Sequence, residues 1–331
     1  MTEIRYDVLG VGNAIVDVLA QASDAFLVSQ NIPKGGMELI DEARADALYD
    51  AMGPGVEISG GSAANTIACV ASLGGRGAFI GKVFGDQLGE VYRHDLRSLG
   101  VAFDTPAATA GPGTGRCLIQ VTPDAQRSMM TFLGAAGGVS EADIDAAVVE
   151  AAAITYFEGY LFEQETPRAA FVKACDIARA AGRKSALTLS DAGCVDRQRP
   201  HFVDFIRKNV DILFANEAEA LALAETDDIE AACAFAADLA PFVAVTRSEK
   251  GSVILAGDVR VEVDAVVPAA LEDTTGAGDA YSAGVLFGLS RSLAPDVCGR
   301  IGSVAAAEVI SHVGARPRAS LEGLAAAAGL V

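Results

Sequence analysis

The sequence predicts an α/β fold built on a mostly parallel sheet covered by helices on both faces. Three observations predict it. From about residue 140 onward, short apolar runs alternate with longer helical patterns, the rhythm of right-handed βαβ units. Glycine pairs stand at junctions where such runs turn into helices, notably Gly60-Gly61 and Gly276-Ala277-Gly278. The chain is 331 residues long with 51% hydrophobic and 21% charged residues, enough to bury a large core without disulfide staples.

Residues 6–12 (YDVLGVG) read as a short buried strand ending in glycine, and 41–52 as a short amphipathic helix within a mixed segment, 14–57. Residues 60–74 open on two glycines and continue as an apolar helix, followed by a strand over 76–80 and a helix over 86–99. Residues 101–134 are rich in Thr, Gly and Pro and alternate in polarity, which predicts antiparallel strands with turns. The alternation then predicts helix 142–151, strand 154–157, helix 167–181, strand 185–189, helix 200–209 and strand 212–215. Helices 217–224 and 229–239, strand 242–246 and strands within 252–267 follow, and two Ala-rich helices, 277–289 and 295–312, close the pattern.

There are 25 Lys and Arg against 44 Asp and Glu, a formal charge of −19. Such acidity argues against a nucleic-acid or anionic-membrane surface, where Lys and Arg dominate, but leaves room for a small local phosphate pocket. No apolar run approaches a membrane span, and Glu3 and Asp7 stand where a secretory leader would be basic and then apolar. Six cysteines (Cys69, Cys117, Cys175, Cys194, Cys233, Cys298) lie far apart without a C-x-x-C pair. The expectation is a cytoplasmic protein with reduced, buried thiols.

The chemistry concentrates in Asp273-Thr274-Thr275-Gly276-Ala277-Gly278-Asp279, which enters an apolar helix. Glycines at a helix N-terminus expose N–H groups that can hold a phosphate or a developing oxyanion. Asp279 beside them is placed to take a proton from an attacking hydroxyl. Taken alone, the pattern reads equally as a first-turn acid complementing the helix dipole. Gly60-Gly61-Ser62-Ala63-Ala64-Asn65 is a second glycine-to-helix junction, and Gly81 to Gly89 (GKVFGDQLG) a third glycine-rich turn. Asn216 and Glu219, three apart after a strand, face the same way on one helical turn and could hold Mg²⁺ through water, although plain capping gives the same pattern. Other nucleotide motifs fail: Ile15 occupies the third glycine's place of G-x-G-x-x-G, and Gly81-Lys82 lacks the rest of a Walker loop. His94, His201 and His312 show no metal-ligand or triad spacing.

The segments DTTGAGDAY, GGSAAN, Asn216-x-x-Glu219 and the early Gly12-Asn13-Ala14-Ile15-Val16-Asp17 occur together over essentially the whole chain, and together they resemble the ribokinase-like (phosphofructokinase-B) family of sugar and nucleoside kinases. The segments at 12–17, 39–41 and 213–220 most resemble its adenosine kinases. The resemblance implies a ribokinase-like, doubly wound α/β domain (1–13, 58–102 and 135–331) with a small β-sheet lid (14–57 and 103–134). It implies that Asp17, Gly61 and Asn65 bind the acceptor's hydroxyls, that Asp279 is the catalytic base, and that Gly276, Ala277 and Gly278 form the anion hole. Asn216, Thr246, Ser248, Gly251 and Ser303 would contact the nucleotide together with Gly276 and Gly278, and Glu219 would organise Mg²⁺. Ser248 replaces the family's middle glycine in T-x-G-x-x-G, and Ser303 stands where relatives often carry Asn or His.

The reaction so implied is phosphoryl transfer from Mg·ATP to a primary hydroxyl, the 5′-hydroxyl of adenosine. A free sugar, as in ribokinases and fructokinases, is the alternative acceptor, and a non-catalytic ligand-binding relative a further one. A potassium site near Asp273, as relatives carry, and a monomeric or lid-joined homodimeric state remain open on the resemblance. Arg127 reads as a phosphate ligand or a surface arginine, and Tyr160 and Phe162 as the border of an adenine-sized pocket or as core.

Overall fold

A computed structural model describes residues 2–124 and 126–331. Its larger sheet has eight strands in the order Gly77–Ile80, Tyr6–Val11, Ala152–Glu158, Lys184–Thr188, Ile212–Asn216, Phe242–Thr246, Ser252–Ala256 and Val259–Val263. The first six run parallel, and the last two add an antiparallel edge. Successive side chains on a strand point to opposite faces, so each strand feeds two cores. Val8, Tyr156 and Phe214 join one cluster, with Ile67, Val285 and Ile301 from helices Ser62–Ser72, Ala277–Ser290 and Pro295–Val309. Leu9, Phe157 and Leu213 join the other, with Phe171, Phe202 and Ala236 from helices Glu165–Ala180, Ala192–Asn209 and Ile229–Leu239. The expected α/β architecture, sheathed on both faces, is the one observed.

A second sheet of five strands has the order Met37–Leu39, Arg127–Phe132, Gly115–Val121, Ile15–Gln21, Gly55–Ser59. Gly115–Val121 and Arg127–Phe132 form the antiparallel pair that the Thr/Gly/Pro-rich segment predicts. Val16, Val18, Leu118 and Met130 turn one face into the main core, over helix Glu42–Ala51 with Leu48. Ile15, Cys117 and Ile119 turn the other face toward a cavity between the two sheets.

Four elements depart from expectation. The helix expected to start at Pro200 spans Ala192–Asn209, because Asp191 caps it by accepting from the Cys194 amide at 2.8 Å and Pro200 is absorbed inside. The helix expected over 142–151 is a 3₁₀ turn Glu141–Asp143 and a short helix Ala146–Glu150, separated by the cap Asp145. Short helices Asp24–Ser29, within the mixed segment 14–57, and Leu321–Ala327 are additional to the predicted helices, each started by a serine cap, Ser23 and Ser320. All six cysteines are buried and free. Among the described residues no helix is long and apolar enough to cross a membrane.

Candidate active site

A cavity of about 1040 Å³ opens at the carboxyl ends of the parallel strands, roofed by the small sheet. Strand-terminal residues Glu158, Thr188, Asn216 and Thr246 all reach its wall, as expected where loops of a parallel sheet diverge. Of the residues singled out from the sequence, Asp17, Gly61, Asn65, Asn216, Glu219, Thr246 and Gly276 to Asp279 line this one cavity.

Gly276 adopts φ +81° as the residue that starts helix Ala277–Ser290, and no side chain caps that N-terminus. A Cβ at Gly276 would lie 2.7 Å from the Ala315 carbonyl, so glycine is required for conformation and for space. Asp279 sits in the first turn; Ser62 Oγ donates to its Oδ1 at 2.6 Å and Asn65 Nδ2 to its Oδ2 at 3.3 Å. Its depth in the protein outweighs those two donors and raises the carboxyl pKa to about 6. Asp273 braces the preceding loop, accepting from the Thr275 amide and hydroxyl at 3.1 and 2.7 Å and from the Gly314 amide at 2.8 Å. Arg127, from the small sheet, pairs with Asp273 at 2.7 Å, and its Nη2 is buried without a hydrogen-bond partner. It is therefore neither a free surface arginine nor fully satisfied.

Beside Ser62, Gly61 has φ +93°, and a Cβ there would fall 2.1 Å from the Asn13 carbonyl oxygen. This close approach lets the strand bearing Asp17 lie against the start of helix Ser62–Ser72. Asp17 is pushed up to about 6 by burial, with Arg316 and Arg127 opposing. Two residues the sequence reading did not single out organise this wall. Glu158 is fully buried; its Oε1 accepts from the Asn13 amide (2.9 Å) and Asn13 Nδ2 (2.5 Å), its Oε2 from the Ala63 amide (2.9 Å). Burial raises its pKa to about 7. Arg316 reaches Asn65, Ser59 and Asp95. An acid closing an apolar strand before Gly159 was a visible signal for Glu158; nothing local marks Arg316, whose partners are more than 200 residues away.

Asn216 and Glu219 form a reciprocal capping box: Asn216 N and Nδ2 donate to the Glu219 carboxylate at 2.9 and 2.8 Å, and Glu219 N to Asn216 Oδ1 at 2.8 Å. Both readings of this pair therefore meet in one geometry, since the buried carboxylate also lines the cavity. Burial, with Asp191 and Asp279 nearby, raises its pKa to about 7. Among the described residues no group of three His, Cys, Asp or Glu is built to hold a metal. An excess of cavity carboxylates around Glu219 instead suits a cation carried in by phosphates and water.

Ser248, Gly251 and Ser303 are not on the cavity wall. Ser248 opens a 3₁₀ turn at φ +52°, and Gly251 has φ +79°, where a Cβ would meet the Val263 carbonyl at 2.0 Å. Ser303 is buried within helix Pro295–Val309. Tyr160 lines the cavity, whereas Phe162 is core, stacked on Phe202 with ring centroids 4.3 Å apart.

A family model described as pfkB family carbohydrate kinase matches residues 42–321. The chain is 49% identical to a solved structure of adenosine kinase from Sinorhizobium meliloti, covering 98% of this chain and 99% of that one with a TM-score of 0.90. It is 47% identical to a probable sugar kinase protein from Rhizobium etli CFN 42, with complete coverage of both chains and a TM-score of 0.92. A more distant relative, adenosine kinase 2 of Arabidopsis thaliana, is 26% identical over 94% of this chain and 96% of its own length.

Proposed function

This chain belongs to the pfkB family of carbohydrate kinases and is an ATP-dependent phosphotransferase acting on a nucleoside or sugar, and we propose that its acceptor is a nucleoside, adenosine first, phosphorylated at the 5′-hydroxyl. The observation that carries the nucleoside reading is the cavity's apolar roof. Ile15, Cys117, Ile119, Met129 and Leu133 of the small sheet and its flank form a roof whose only acid among the described residues is Asp17, beside Cys117, and which faces the polar floor of Asn65 and Asp279. A free sugar presents hydroxyls on every side and would leave some of them against this roof without partners, which is costly. A nucleoside puts its diol on the carboxylate and amide and its flat base on the hydrocarbon. The 49% identity to a structure named adenosine kinase supports the same choice.

In this reading Asp17 and Asn65 hold the ribose hydroxyls, and Asp279 accepts the proton of the 5′-hydroxyl as it attacks the terminal phosphoryl group. The N–H groups of Gly276 and Gly278, at a helix start that no side chain caps, face the charge that develops on that group, while the Ala277 N–H is taken by the Thr274 carbonyl at 3.2 Å. Asn216 and Glu219 would hold, through water, a magnesium ion whose charge offsets the triphosphate. Closing the roof on the acceptor excludes water, so that transfer outruns hydrolysis.

A sugar acceptor is favoured by one observation, the 47% identity to a protein named a probable sugar kinase. ATP turnover assayed against adenosine, other nucleosides, ribose and fructose separates the two. Turnover with adenosine and little with ribose or fructose is expected; phosphorylation of a free sugar alone would refute the proposal. Asp279→Asn is expected to lower kcat by about 10² to 10⁴.

A further inference from the structure

Arg316 lies in the segment after helix Pro295–Val309, off the cavity wall, with its side chain largely buried. Its Nη1 is fixed by Ser59 Oγ and by Asp95 Oδ2 at 3.2 Å, and Asp95 also accepts from the Ser59 amide at 2.9 Å. Ser59 pairs with Val16, next to Asp17, so the guanidinium is anchored to the strand pair that carries the acceptor wall. From this anchor Arg316 Nε donates to Asn65 Oδ1 at 3.2 Å, while Asn65 Nδ2 donates to Asp279 Oδ2 at 3.3 Å.

The order of these bonds is forced. Arginine only donates, and an ionised carboxylate only accepts. Asn65 stands between the two and satisfies both in one orientation alone, oxygen toward Arg316 and nitrogen toward Asp279. Rotating the amide by half a turn would set donor against donor on one side and acceptor against acceptor on the other. We propose that Arg316 is a positioning residue for phosphoryl transfer: it fixes the Asn65 amide so that its N–H₂ is always turned to the Asp279 carboxylate. The proposal rests on the reading of Asp279 as the base, and deepens it by naming what sets the base's environment.

Other groups act on Asp279 as well. Asp17 from the small sheet, Glu158 at a strand end and Glu219 across the cavity are acids that interact with it, and Tyr156, Tyr160 and Cys69 are neutral neighbours coupled to it. Ser62, which donates to Asp279 at 2.6 Å, and these side chains are kept in the variants below, but the Arg316 charge also acts on Asp17, so only the part of a shift that is lost without Asn65 reports the amide route.

The test follows the Asp279 carboxyl by ¹³C NMR titration and, in parallel, the pH dependence of kcat/KM. It uses wild type, Arg316→Gln, Arg316→Lys, Asn65→Ala and the Arg316→Gln/Asn65→Ala double variant. Glutamine can accept as well as donate, so it removes the donor-against-donor bar to the flipped amide and leaves only the Asp279 side to oppose it. Arg316→Gln should move the Asp279 titration upward by about one pH unit, the worth of one hydrogen bond to a carboxylate, and move the acidic limb of kcat/KM with it. Lysine is donor-only, so Arg316→Lys should keep the titration close to wild type and guards against a glutamine variant that folds poorly. In the Asn65→Ala background Arg316→Gln should add no further shift. An equal shift in the lysine variant, an undiminished shift without Asn65, or no shift in Arg316→Gln would each overturn the proposal. Failure of the base reading shows separately, as near-normal kcat in Asp279→Asn with the NMR shifts intact.

Discussion

Glu158→Gln tests how the acceptor wall is held. The native carboxylate takes three N–H donors, two from Asn13 and one from Ala63, in a fully buried setting. Glutamine keeps one oxygen; turned to the two Asn13 donors, it leaves its own N–H₂ facing the Ala63 amide. The Ala63 N–H and the new N–H₂ then both lack an acceptor, at a cost of about 1–3 kcal/mol for each buried donor left unpaired. Against this stands the cost of ionising Glu158 where it is. Its pKa rises by burial from the ordinary 4.5 to about 7. The folded protein therefore holds this proton over a pH range where the unfolded chain has lost it, and stability falls as pH rises through that window. Between pH 5 and pH 8 the loss from this one group is about 2 to 3 kcal/mol at 1.36 kcal/mol per pKa unit. Glutamine carries no such proton. Urea unfolding of both proteins at pH 5, 6, 7 and 8 should show wild type losing about 2 to 3 kcal/mol more than the variant across this range, so that the difference between them moves in the variant's favour as pH rises. Parallel stability–pH curves for the two proteins would refute the reasoning, because they would mean that Glu158 titrates alike folded and unfolded.

Three further outcomes follow from the site. The kcat/KM for the acceptor should fall on an acidic limb centred near pH 6, since burial raises both Asp279 and Asp17 to about 6 and the base must be ionised; a limb near pH 4 would contradict that burial. Glu219→Gln should preserve the capping box, which glutamine also closes, yet raise the Mg²⁺ concentration for half-maximal rate several-fold; an unchanged Mg²⁺ titration would remove Glu219 from the metal's surroundings. Gly61→Ala forces a Cβ to within 2.1 Å of the Asn13 carbonyl at φ +93°, so it should cost about 1–3 kcal/mol of stability and lower acceptor kcat/KM by at least about tenfold, read by urea unfolding and steady-state kinetics.

What could be read along the chain was whatever repeats locally. Strand Phe242–Thr246 and helices Glu217–Ala224 and Ile229–Leu239 were predicted to the residue, because each is an uninterrupted apolar or Ala-rich run between clear caps. Helix Ala192–Asn209 starts eight residues before the predicted Pro200, because the Asp191 cap sets its N-terminus and the helix carries Pro200 inside it. The glycine-flanked junctions led to Asp279, Gly61 and Asn65 since a helix start has a sequence signature. Ser248 and Gly251 were singled out by the family resemblance alone; both have positive φ in a turn after strand Phe242–Thr246, and Gly251 packs against the Val263 carbonyl. Glu158 and Arg316 escaped because their roles are tertiary: each satisfies partners brought together from separate parts of the chain, and no window of sequence contains those pairs.

The net charge of −19 has a counterpart inside the cavity, and it leads to a last prediction. Asp17, Glu158, Glu163, Asp191, Glu219 and Asp279 line the wall, and its arginine, Arg197, is already paired with Glu163 at 2.5 Å. Such a cavity repels a bare triphosphate. With Glu158 and Glu219 raised to about 7, it blunts the repulsion at neutral pH by keeping protons. A cation placed near Glu219 favours its ionised form and expels that proton, whereas an anion without a cation favours the neutral form and draws protons in. With the Glu219 carboxyl raised to about 7, binding of Mg·ATP at neutral pH should release protons from this group, while Mg²⁺-free ATP should take protons up. Calorimetric titrations in buffers of different ionisation enthalpy read both numbers directly. Equal proton exchange with and without Mg²⁺ would mean that the metal does not approach Glu219, and that the acids of the wall are balanced by something other than the cation that arrives with the nucleotide.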